Sequence, residues 1–103
     1  MQKQSKKFSP GVLGLIGTGA KNAIHQSEIV KLTGLSSREV TITMENLRRS
    51  GEVIISSRWG YYKPETVEEL TEYINRERNR ARSILKTLQS AVKYKRQMEN
   101  RDP

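Results

Sequence analysis

The chain has 103 residues, with 19 Lys+Arg against 11 Asp+Glu, a single His, no Cys and a formal net charge of +8. That length fits one small basic domain. With no thiol and one imidazole, His25, it cannot build a Cys/His zinc site, a Cys/His nucleophilic pair or a disulfide scaffold. The 34% hydrophobic content supports one compact core with some chain outside it. The longest apolar stretch, Val12 to Gly17, falls far short of the roughly 20 residues of a membrane span. No cofactor and no metal are expected, and a reducing cytoplasm is the expected compartment. The positive charge calls for a polyanionic partner, nucleic acid ahead of an anionic membrane surface. It is concentrated in the first two-thirds of the chain, where Lys3, Lys6, Lys7 and Lys21 stand without an acid before residue 26. Basic residues ahead of a short apolar run also open export signals, but Pro10, Gly11, Gly14, Gly17 and Gly19 dilute this one.

In chain order, residues 1–8 are polar and basic and read as a flexible arm. Ser9 and Pro10 supply an N-cap and a first helical position for a short helix carrying Val12, Leu13, Leu15 and Ile16, ended by Gly17-Thr18-Gly19. Asn22 to His25 has room for a brief extended segment. Ser27-Glu28 opens a second helix with Ile29, Val30 and Leu32 on its apolar face and Gly34 as its stop. Ser36-x-x-Glu39 is a capping box, and Leu35 before it can staple onto Val40. A third helix follows, with Val40, Met44 and Leu47 on one face and Gly51 past its end. Two helices joined by a tight glycine-containing turn carry the helix-turn-helix signature.

Glu52 to Ser56 and Tyr61 to Lys63 are β-favouring runs around Arg58-Trp59-Gly60, which predicts a hairpin ended by Pro64. Tyr61 and Tyr62 alternate faces, one toward the core and one toward solvent. Thr66-x-x-Glu69 is a second capping box. Val67, Leu70, Ile74, Ala81, Ile84, Leu88 and Ala91 then follow a heptad frame interrupted by Glu77. A helix from Thr66 to about residue 97 would be on the order of 45 Å long, more than this domain can cover. Val67, Leu70 and Ile74 are close enough to pack back on the domain. The broader stripe of Ile84, Leu85, Leu88, Ala91 and Val92 needs another partner, most simply a second copy.

Taking 100° per residue, the third helix turns Arg38, Ile42, Glu45 and Arg49 away from its buried side, with Thr41 and Arg48 on the flank. Arginine suits guanine, and short polar or apolar groups suit adenine or the thymine methyl. Ser37, Arg38, Thr41, Ile42, Arg48 and Arg49 are thus candidate groove contacts, against the alternative of a solvated face with one exposed isoleucine. Arg58 and Trp59 at the hairpin tip can meet phosphate, sugar or an exposed base, or Trp59 can fold back into the core. Gly14 to Lys21 only approaches a phosphate loop: Ala20 separates Gly19 from Lys21, Asn22 stands where Ser or Thr would hold magnesium, and a helix precedes it. His25 has no neighbouring nucleophile or second ligand and reads as a helix-start or surface residue. Arg76, Arg78, Arg80 and Arg82 spread around their helix and read as a solvated stretch.

The order helix, short strand, helix, turn, helix, two-stranded hairpin over residues 9–64 resembles the winged helix-turn-helix family. Leu47-Arg48-Arg49-Ser50-Gly51, Ile54-Ile55-Ser56-Ser57, Gly60-Tyr61-Tyr62 and the acidic start Glu65 to Leu70 are similar to small phage- and prophage-encoded DNA-binding proteins of Gram-positive bacteria. The resemblance implies a mainly α fold with a small β-wing (α+β), a winged helix-turn-helix domain at 9–64 and a long C-terminal helix at 65–103, dimerising and ending in disordered residues. It implies double-stranded DNA binding through the third helix and the wing, usually as a homodimer; beside it, the basic arm with Lys3, Lys6 and Lys7 is expected to add DNA contacts, and the lack of a catalytic constellation leads to the expectation of a non-enzymatic protein. Its roles would run from transcriptional regulation to a replication accessory function, with a replication or transcription protein as a further partner. Glu39 and Glu45 depart from a typical DNA-reading helix and support the alternative of a protein-interaction adaptor. A DNA-packaging or recombination-directionality factor would share the scaffold.

Overall fold

The computed structural model describes residues 11–101. The expected arm with Lys3, Lys6 and Lys7, the Ser9-Pro10 cap and the last two residues lie outside them. The described chain is mainly helical, with one two-stranded antiparallel sheet and a long C-terminal helix. It divides into two units, one through Leu70 and one from Thr71 onward. Among the described residues no helix is long and apolar enough to cross a membrane.

Residues 11–15 are helical (α1) and bury Val12; Ile16 is buried just beyond them. A 3-10 turn, Ala20–Asn22, precedes α2 (Gln26–Thr33). Helix α2 starts at Gln26, one residue before the expected Ser27-Glu28 opening, because the His25 side chain itself caps it by accepting from the Ser27 N–H. Gly34 in the left-handed conformation ends α2, its N–H donating to the Val30 carbonyl. Of the expected apolar face, Ile29 is buried, whereas Leu32 is 58% exposed. The inward face is centred on Gln26, Ile29, Val30 and Thr33, none of them exposed, which leaves Leu32 about 110° off it.

Helix α3 (Ser37–Arg49) opens on the expected capping box: Ser36 Oγ accepts from the Glu39 N–H at 3.1 Å, and Glu39 Oε1 accepts from the Ser36 N–H at 2.9 Å. Val40, Met44 and Leu47 are buried as the periodicity predicts. So is Thr43, whose hydroxyl donates to the Glu39 carbonyl within its own helix, so that it reaches the core without an unpaired oxygen. Val12, Ile16, Ile29, Leu35, Val40, Met44, Leu47 and Ile54 form one cluster.

Strands β1 (Ile55–Ser57) and β2 (Gly60–Tyr62) pair in the register Ile55–Tyr62, Ser56–Tyr61, Ser57–Gly60. The turn is therefore Arg58-Trp59, and Gly60 lies in the strand. Strand β2 is bridged on its other edge as well: Ile24 and Tyr61 exchange N–H···O bonds of 3.0 and 2.8 Å, and beyond it Gly19 N–H and Lys63 N–H donate to Lys63 O and Gly17 O. At φ 120°, Gly60 lies so close to the Ile24 carbonyl that a Cβ would overlap it.

Helix α4 (Val67–Arg101) is capped by Thr66 Oγ1, which accepts from the Glu69 N–H. The Glu69 carboxylate reaches across the domain, accepting from Glu65 N–H at 2.7 Å and Ala20 N–H at 3.0 Å. These amides, the Glu65 bond first, hold its pKa below the ordinary carboxylate value. The resulting stabilisation is present above that ordinary value and fades as pH falls through the lowered one. With Glu69 docked on Ala20, Val67, about 200° away on the helix, is turned outward and 76% exposed; Leu70 is half-buried. The expectation that Val67 packs back on the domain is thereby corrected. From Arg78 to Arg101 every residue of α4 is exposed. Glu77, the heptad interruption, lies 3.7 Å from Arg76 and 4.0 Å from Arg80.

Gly60→Ala is expected to lose about 2–4 kcal/mol in denaturant unfolding, since it adds positive-φ strain to a backbone overlap. Gly34→Ala, with positive φ and open space around its Cβ position, is expected to lose only about 1 kcal/mol. Equal losses would show that the approach to Ile24 does not limit this position.

Candidate functional site

The outward face of α3 carries Arg38, Ile42, Glu45 and Arg49, all exposed, with Ile42 41% exposed. It is one stripe along the helix, two cations at its ends and one acid between them. Glu39 lies outside the stripe with its carboxylate held by the capping box. Ser37 is exposed at the first helical position, and its carbonyl accepts from the side chains of Gln26 (2.9 Å) and Thr41 (3.1 Å).

Thr41 is exposed but not polar-free. Its hydroxyl donates to Ser37 O and lies 3.3 Å from Gln26 Nε2, so its methyl is the part left to a ligand. Gln26 Oε1 accepts from Tyr61 Oη at 2.7 Å. One glutamine amide therefore joins α2, the first turn of α3 and strand β2. Tyr61 is accordingly half-buried and not the surface partner of buried Tyr62 that strand alternation predicts. Burial raises its phenol pKa above 10.0, opposed by the charge of Arg48.

Arg48 is placed differently from the other candidate contacts. Its Nε and Nη2 donate to the Ile54 carbonyl at 3.1 and 2.9 Å, and Nη2 also reaches Ser56 Oγ at 2.6 Å. It braces the end of α3 against the hairpin, because the short turn through Gly51 brings that carbonyl back within reach of the guanidinium.

At the hairpin tip Trp59 is 63% exposed, which decides against the core reading. The Arg58 guanidinium lies over its ring, 4.6 Å from the centroid. Ser57 Oγ accepts from the Trp59 N–H and donates to Gly60 O, both at 3.1 Å, so the turn is held from within. Strand β2 lies against Ile24, and Trp59 shares a shallow recess with Ala20, Lys21 and Ala23. Lys21 was legible only as a charge, since its proximity to the tip depends on that non-local bridge.

Along α4, Ile84, Leu85, Leu88 and Val92 are each more than half exposed and Ala91 is exposed beside them. Lys93 and Arg96 border the same face. Among the described residues no cluster of His, Asp or Glu could hold a metal ion. Comparison with protein-family models, with curated proteins and with solved structures gave no match.

Tyr61→Phe leaves Gln26 Oε1 without its donor and is expected to cost about 1–2 kcal/mol. A raised phenol pKa stabilises the fold below the ordinary tyrosine value and loses that contribution as pH rises through the raised one. Unfolding measured between about pH 8 and pH 11 should show a smaller alkaline loss in Tyr61→Phe than in the parent chain. Parallel losses would separate Tyr61 from the alkaline transition.

Proposed function

We propose that the first unit is a winged helix-turn-helix module that binds duplex DNA, with α3 as the recognition helix and the β1–β2 hairpin as the wing. The observation that carries this reading is the pairing of α2 with a capped α3 across Gly34, Leu35 and Ser36, with an arginine-bounded stripe left exposed and a hairpin following at once. Arg38 and Arg49 would read or grip the duplex, Ser37 and Thr41 would approach it at the first turn, and Ile42 would meet a thymine methyl. Arg58 at the tip would contact phosphate. The role is that of a non-enzymatic regulator or replication accessory factor of the phage or prophage type, acting in the cytoplasm.

The exposed stripe of Ile84, Leu85, Leu88, Ala91 and Val92 supports self-association through α4, which presents two modules to an inverted-repeat site. Glu45, in the middle of the α3 stripe, favours a second reading in which the same face docks a protein.

Duplex binding titrated at graded salt distinguishes the two. Counterion release gives a DNA binder a log–log slope of about −0.9 per phosphate neutralised, and an adaptor almost none. Arg38→Ala is expected to lose about 1–3 kcal/mol and to relax preference at one base pair. Self-association through the apolar stripe should not weaken as salt rises, because it rests on apolar burial and not on charge pairing. In sedimentation the parent chain should be dimeric at tens of micromolar and Leu88→Lys monomeric. A monomeric parent at all salts removes the dimer.

A further inference from the structure

The tip recess has a composition that duplex phosphates alone do not explain. Its wall is the chain's single tryptophan, exposed, with its backbone N–H bonded to the Ser57 hydroxyl and one face of its indole covered by Arg58. Beside the indole stand Ala20 and Ala23, whose short side chains leave room for a flat group, and Lys21, an exposed ammonium with no ion pair among the described residues. The Glu69 carboxylate meets the recess only at the Ala20 amide, where its oxygens already accept from the Ala20 and Glu65 N–H groups. An indole with Arg58 over one face and Lys21 beside it in the recess fits a planar π system attached to an anionic group. Inside a duplex both faces of every base are already stacked and each base is paired, so a single base with its own phosphate becomes available where the strands part.

We propose that Trp59, Lys21 and Arg58 form a receptor for one unpaired nucleotide, the base stacking on the indole and its phosphate held by the two cations. This deepens the duplex-binding reading and rests on it: the module would engage DNA where duplex passes into single strand. The elements that build the receptor are the Gly60–Ile24 approach, which brings the tip to the 3-10 turn, and the Ser57 clasp, which fixes the turn before any ligand arrives.

Trp59, as the single tryptophan, reports directly on the recess. The full chain is titrated with a blunt duplex, the same duplex bearing a short single-stranded tail, and poly-glutamate, while binding is followed by anisotropy of labelled DNA and by indole emission. The tailed duplex is expected to bind about tenfold more tightly than the blunt one and to quench Trp59 strongly. Lys21→Ala should lose most of that tail preference and keep blunt-duplex affinity, Trp59→Ala should lose the preference as well, and Trp59→Phe should keep it. Blunt-duplex binding with no tail preference, or with an unmoved indole on the tailed DNA, overturns the receptor and leaves the duplex reading intact. Failure of the blunt duplex to bind overturns the duplex reading, and the receptor that rests on it must then be abandoned as a junction site. Equal quenching by poly-glutamate marks an unspecific anion patch and overturns it as well.

Discussion

The contact on which the rest of the first unit depends is the reciprocal backbone bridge between Ile24 and Tyr61, with Gly60 pressed against the Ile24 carbonyl. A lone two-stranded hairpin is marginal in water. Here β2 is supported on both edges, by β1 on one side and by Ile24 and the Gly17–Gly19 segment on the other. The bridge brings Tyr61 Oη to Gln26, which orders the first turn of α3, and sets the tip near Lys21. Helix faces, hairpin and recess thus share one backbone constraint, and glycine is the residue that satisfies it.

Local signals in the sequence were read correctly where a short segment contains both partners. The Ser36–Glu39 capping box, the Val40–Met44–Leu47 face and the Gly34 stop depend on residues within one turn of each other. The hairpin was legible as two β-favouring runs, but the role of Gly60 was not: it reads as a turn residue, and its close neighbour is thirty-six positions earlier. His25 is legible as a helix-start residue, as its place at the cap of α2 bears out, whereas its capping bond and the Glu69 bond to Ala20 are not. A histidine cap is a minority choice beside Ser, Thr, Asn and Asp, and the Glu69 bond crosses 49 positions. Thr43 reached the core because helix geometry lets a hydroxyl return its proton to the preceding turn, which a polarity pattern counts as surface.

Charge alone also misled about which cations are free. Arg48 belongs to the same Leu-Arg-x-x-Gly run as Arg49, yet it is tied to Ile54 and Ser56 while Arg49 is exposed. Removing Arg48 would therefore alter the joint between α3 and the hairpin before it altered any ligand. On the outward stripe of α3 only Arg38 and Arg49 are exposed cations, and the acid between them, Glu45, limits the field there. The second unit carries its own division, with Lys93 and Arg96 at the border of an apolar face, so that added salt would separate the proposed DNA binding, which it weakens, from the proposed self-association, which it does not.

The most direct measurement of the central claim is a residue-resolved map of amide chemical-shift changes on adding a short duplex at low salt, which shows whether the proposed surface meets DNA. The account predicts the largest changes at Ser37, Arg38, Ile42 and Arg49 and at the Arg58-Trp59 tip, with the buried residues Val12, Ile29 and Met44 unmoved. Changes confined to the basic second half of α4, with α3 and the tip silent, would contradict it.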